Sequence, residues 1–130
     1  MISVVASIQK ENYKTQIVSG EKTVIADEPI DMGGKNLGFT PSELLASSLA
    51  SCTAITLRMY ADRKKWELDE AMINVDFENQ PGIAANMVMN IRLFGNLDEK
   101  QRERLVEIAH KCPVHKLLEE SISIDVNLKD

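Results

Sequence analysis

The chain predicts an α+β fold, and three features of its 130 residues do so. Short alternating segments at the start read as strands, a long helical run follows from Thr40, and two further alternating segments precede a second helical stretch. With 44% hydrophobic and 27% charged residues, the composition is that of one globular domain, expected over residues 1–130. Aromatic residues make up only 5%, so Leu, Ile, Val, Met and Ala must fill the core.

Residues 2 to 8, 13 to 18 and 22 to 26 alternate in polarity and are separated by polar turns at Lys10 to Asn12 and Ser19 to Glu21, which predicts an antiparallel meander. From Asp27 to Phe39 the chain carries Pro29, Gly33, Gly34 and Gly38, a composition that forms no regular element but can lay backbone over a pocket. Thr40 opens a helix. Pro41 suits the first helical position and Glu43 completes a capping box, and the helix is expected to run to about Lys64. Leu44, Leu45, Ser48, Leu49, Cys52, Ile55, Thr56 and Met59 recur at helical spacing, which puts Cys52 on an apolar stripe. The small residues Ala46, Ser47, Ser48, Ala50 and Ser51 keep that helix narrow, and Arg63 and Lys64 place cations at its negative end.

Residues 71 to 78 and 87 to 94 alternate and are joined around Asn79 to Gly82, which predicts a hairpin. Asn96 with Glu99 starts a second helix to about Lys111, with the stripe Leu97, Leu105, Ile108 and Ala109. Pro113 disfavours helical backbone at Cys112 but suits the first turn of a short helix from 113 to 120. Residues 121 to 128 alternate Ile122, Ile124, Val126 and Leu128 and read as a closing strand.

A net charge of −5 argues against nucleic acid or an anionic membrane as partner. The first residues lack the basic and apolar regions of a signal peptide and no apolar run is expected to reach membrane-spanning length, so a cytoplasmic location is expected. The two cysteines are then expected to be free or catalytic rather than a permanent staple. At the N-cap of a helix starting with Pro113, Cys112 meets free amide donors, which lower a thiol pKa. Cys52, mid-helix and half-buried, is expected to have a raised pKa unless a donor or cation compensates. Cys112 and His115, with His110 and Cys52, could alternatively offer four zinc ligands, although a helical Cys-x-x-His is a weak signal.

The run Thr40-Pro-Ser-Glu-Leu-Leu-Ala-Ser-Ser-Leu-Ala-Ser-Cys52, followed sixty positions later by Cys112-Pro-Val-His-Lys-Leu-Leu, resembles the OsmC/Ohr family of osmotically inducible and organic hydroperoxide resistance proteins. The resemblance implies an OsmC-like fold in an intertwined homodimer with active sites at the interface. It also implies a thiol peroxidase with no metal or other cofactor, in which Cys52 attacks an organic hydroperoxide, Cys112 resolves the sulfenic acid, and an external dithiol, of lipoyl type by resemblance, reopens the disulfide. The family pattern also includes an arginine ahead of the first helix and a glutamate near its start. Here no arginine precedes Arg58, Lys35 is the nearest cation, and Glu43 falls one position after the family glutamate, about 100° around the helix. The expected site is therefore Cys52, Cys112, Glu43 and Lys35. Glu43 is equally explained as a capping carboxylate and Lys35 as a solvated loop lysine. The alternative function is a non-enzymatic binding or redox-sensing protein with an apolar pocket at the dimer interface.

Overall fold

A computed structural model of the chain describes residues 1–129. They form two compact units, residues 1–46 and residues from 47 onward. In the first, β1 (Val5–Ile8), β2 (Thr15–Ser19) and β3 (Lys22–Ala26) pair antiparallel in chain order, the expected meander.

The segment after β3 contains a single 3-10 turn at Ile30–Met32 and is organised around one buried side chain, Asp27. Its carboxylate accepts hydrogen bonds from the N–H groups of Tyr13, Glu28, Lys35 and Leu37. Two glycines allow the backbone to close in on itself: a Cβ on Gly34 would lie 2.1 Å from the Glu28 carbonyl oxygen, and one on Gly38 would lie 2.0 Å from that of Ile25. The loop is thus held by a buried anion wrapped in amides, which its Gly and Pro content did not reveal.

Helix α1 spans Pro41–Lys64, about 36 Å at 1.5 Å per residue. The capping box forms as expected: Thr40 N–H donates to Glu43 Oε1 at 2.8 Å, and Glu43 N–H donates to Thr40 Oγ1 at 3.1 Å. The face it buries coincides with the expected stripe only at Leu49. Leu49, Thr53, Leu57, Tyr60 and Ala61 are buried, whereas Ile55 and Met59 are exposed. Apolar residues stand all round this helix, so spacing alone could not choose a face. The same property corrects the expectation about apolar runs, because α1 is long and apolar enough by composition to cross a bilayer.

In the second unit, β4 (Glu67–Glu78) and β5 (Asn86–Asn96) form a long antiparallel ribbon with a register shift between Leu68 and Glu70. Alternate residues Ala71, Ile73, Val75 and Phe77 of β4, and Met87, Met89, Ile91 and Leu93 of β5, are more shielded than their neighbours. Helix α2 (Glu99–Ala109) starts later than expected. Asp98 is its N-cap, in a capping box with Gln101, because Asn96 is still paired with Glu67 in the ribbon. The core joins Leu57, Tyr60 and Ala61 of α1 to Leu68, Leu97, Leu105, Ile108 and Ala109, with Trp66, Ile73, Ile91 and Leu93 packed on it. Arg102 ties α2 to the ribbon end by donating to the carbonyls of Leu93, Gly95 and Leu97.

Helix α3 (Pro113–Leu118) is capped by Cys112. The expected closing strand is absent: residues 121 to 129 pair with nothing in a ladder, and Val126 and Leu128 are 90% and 98% exposed. Alternation specifies which residues would share a face, but a strand also needs an edge to pair with.

Candidate active site

Cys52 lies at the start of the fourth turn of α1, one residue from Thr53 and four from Thr56, and is half-buried. Cys112 is held at the start of α3 in extended conformation (φ −63°, ψ 136°), as the residue before a proline favours, and is completely buried. Its sulfur accepts the N–H of His115 at 3.4 Å, replacing the side-chain oxygen of an ordinary N-cap. The two side chains are neighbours: each thiol influences the ionisation of the other, and neither is in a disulfide.

The pair is electrostatically unequal. Burial works against ionisation of Cys112. The neighbouring thiol of Cys52, the N–H of His115, the hydroxyl of Thr53 and the N–H of Val114 outweigh it and bring the Cys112 pKa below the ordinary thiol value. Burial, reinforced by the neighbouring Cys112 sulfur, pushes the Cys52 thiol up, against opposing effects from Val114 N–H and the Thr56 hydroxyl. Thr53 is fully buried and its hydroxyl makes no well-formed hydrogen bond, so the neighbouring Cys112 sulfur is the group it can serve. Both directions follow the local reading of the sequence, which places Thr56 on the stripe with Cys52 but does not single out Thr53. Thr56, at +4 from Cys52, carries a signal, since a residue one helical turn on shares a face with it, whereas Thr53 at +1 lies about 100° round the helix and carries none.

The other expected site residues belong to the first unit. Glu43 Oε1 accepts from Thr40 N–H, and Lys35 Nζ forms an ion pair with Glu11, while the Lys35 backbone N–H donates to Asp27. The histidines of the zinc alternative have other partners: His115 Nε2 faces Glu119 Oε2 at 3.5 Å, and His110 Nδ1 lies 3.1 Å from the Val106 carbonyl. Among the described residues, no three His, Cys, Asp or Glu side chains are placed to share a metal ion.

The family model for OsmC-like protein matches residues 33–127, which include both cysteines. The chain belongs to the OsmC-like family. Solved structures of similar fold include an OsmC-like protein of Mycoplasma pneumoniae, at 17% identity and TM-score 0.80, covering 92% of this chain and 87% of the other. A protein of Psychrobacter arcticus assigned to osmotic stress induction and detoxification response is 25% identical, with TM-score 0.78 and coverage of 90% and 88%. The organic hydroperoxide resistance protein OhrB of Bacillus subtilis is 22% identical, with TM-score 0.64 and coverage of 99% and 98%. No curated protein matches the chain. The OsmC-like fold therefore explains the long Cys52 helix and the paired ribbon, and some proteins of similar fold are named for hydroperoxide resistance.

Proposed function

We propose that this OsmC-like protein is a thiol peroxidase that reduces organic hydroperoxides through Cys52 and Cys112. The observation that carries the reading is the proximity of the two thiols, near enough to shift each other's ionisation, because a sulfenic acid on one can then condense with the other. Cys52 is the attacking sulfur, being the more accessible of the two, and Cys112 resolves. The naming of the Bacillus subtilis neighbour for organic hydroperoxide resistance supports the substrate class. A dithiol, of lipoyl type, reopens the disulfide by thiolate attack.

The reading extends to a cytoplasmic homodimer in which residues 1–130 act as a single domain; the family match crosses the boundary between the two units. Exposed apolar side chains support self-association: Ile55 and Met59 on α1, and Ile122, Ile124, Val126 and Leu128 in the unpaired tail. Lys35 and Glu43 enter only as electrostatic support for the thiol pair, and unchanged turnover in Lys35→Gln and Glu43→Gln removes them.

The direct test is consumption of cumene hydroperoxide by purified protein supplied with dihydrolipoate. Turnover that stops in Cys52→Ser is expected, and turnover that persists in that variant overturns the assignment. The raised pKa of Cys52 favours one second reading, an oxidant-sensing or binding protein, in which the thiols oxidise at most once and no dithiol-dependent turnover follows.

A further inference from the structure

Away from the thiols, the second unit gathers positive charge around one ring. Tyr60, a core residue of α1 that is 8% exposed, has Arg63 Cζ over its ring at 5.4 Å, Lys64 Nζ at 5.7 Å and Arg104 Cζ at 5.6 Å. No two of these charges can be further apart than about 11 Å, close to a Debye length at physiological salt, so each feels the others. The chain as a whole carries a charge of −5, so an excess of cations does not explain the convergence.

Arg63 and Lys64 stand in the last turn of α1, where they complement its dipole, but two carbonyls of that end, Ala61 and Asp62, are already bonded by the backbone N–H groups of Trp66 and Lys65. Among the described residues neither side chain forms an ion pair. Arg104 comes from α2 and is fixed at two points: Nε donates to the Tyr60 hydroxyl at 3.0 Å and Nη1 donates to Glu107 Oε2 at 2.8 Å, which leaves Nη2 for another acceptor. Glu107 is the single carboxylate ion-paired to the cluster among the described residues. Three cations against one carboxylate leave a local charge of +2. The hydrogen bond and charge of Arg104, with the charges of Lys64 and Arg63, hold the Tyr60 phenol below the usual tyrosine value against the opposing effect of burial. Cations that favour a negative oxygen on Tyr60 favour one brought from outside as well.

We propose that Arg63, Lys64 and Arg104 form a binding site for a phosphate group beside Tyr60. The charge match selects the ligand: a phosphate monoester carries about −1.5 to −2 at pH 7, whereas a lone carboxylate would leave one positive charge unbalanced. Guanidinium groups present paired N–H donors that fit a tetrahedral oxyanion, and the lysine adds a point charge. Arg104, already held by Tyr60 and Glu107, loses little freedom when a ligand arrives. The site uses neither cysteine, so it is a property of the chain beyond the peroxidase reading.

Trp66, the only tryptophan of the chain, packs edge-on to Tyr60 with ring centroids 5.5 Å apart and reports on the site. The test titrates the full chain with inorganic phosphate, against chloride at the same ionic strength, and follows Trp66 fluorescence and the Arg104 Nε–H resonance. Both signals are expected to change saturably with phosphate, with a midpoint of millimolar order, and not with chloride. Arg63→Gln combined with Lys64→Gln removes two exposed cations and leaves Tyr60 and Arg104 in place. That variant is expected to keep the wild-type urea midpoint and to bind phosphate at least about tenfold more weakly. A chloride response equal to that of phosphate, or phosphate binding that survives the double substitution, overturns the proposal. Glycerol 3-phosphate distinguishes the sources of the group: tighter binding than inorganic phosphate assigns the site to an esterified ligand, and equal or weaker binding assigns it to the free ion. Cys52→Ser is expected to bind phosphate as the wild type does, so the loss of hydroperoxide turnover in that variant and the loss of phosphate binding in the other fail or succeed separately.

Discussion

Cys52 and Cys112 are sixty residues apart in the chain and neighbours in the fold. α1 carries the first and the turn into α3 presents the second, with Thr53 buried beside them. Each sulfur changes the ionisation of the other, so the pair behaves as a unit.

Stoichiometric organic hydroperoxide is expected to join the two sulfurs within one chain, with the loss of two hydrogen atoms in the intact mass. In Cys112→Ser the same treatment leaves one added oxygen on Cys52, trapped as a sulfenic acid. Formation of disulfide-linked dimers in place of the internal bond would show that the proximity is not used.

Thr53→Val exchanges a buried hydroxyl without a well-formed hydrogen bond for a methyl of similar shape. Thermal or urea unfolding should show a change of within about 1 kcal/mol, because little hydrogen-bond energy is lost. A loss well beyond that would mean that the hydroxyl has a structural partner.

Gly95 has φ +141°, and a Cβ there would sit 2.1 Å from the Glu67 carbonyl oxygen. Gly95→Ala is expected to destabilise the ribbon end by about 2 kcal/mol or more, since both the backbone conformation and the close approach exclude a side chain. A shift in urea midpoint measures it, and unchanged stability would contradict the packing described.

Asp27 sets the acid behaviour of the first unit. Burial raises its pKa, but the N–H groups of Glu28, Leu37, Tyr13 and Lys35 together lower it below the ordinary 3.8. A carboxyl whose native pKa is depressed stabilises the fold fully above its unfolded value, and that contribution is lost as pH falls below 3.8 through the native value. Asp27→Asn should therefore lower Tm at pH 7, and the gap to wild type should close as pH drops below that range. A constant gap at all pH values would remove the charge from the explanation.

Much of the fold is legible where the cause is local. The Thr40 and Glu43 box sets the start of α1, Pro113 sets Cys112 in a cap, and alternation sets the meander and the ribbon. The direction of both thiol pKa values was legible too, since an amide-rich cap and a mid-helix position act at short range. The start of α2 was less so, because Asn96 and Asp98 both fit a cap and only pairing with Glu67 decides between them.

The amino-acid sequence by itself determined the family, the two sulfurs and the local setting of each, because caps, prolines and alternation act over a few residues. The tertiary structure alone decided that the sulfurs are neighbours, that Thr53 rather than Ile55 or Met59 faces inward, that Asp27 gathers four amides, and that residues 121 to 129 stay unpaired. These depend on contacts between distant segments, whose formation rests on packing and on available partners that no short stretch of chain contains.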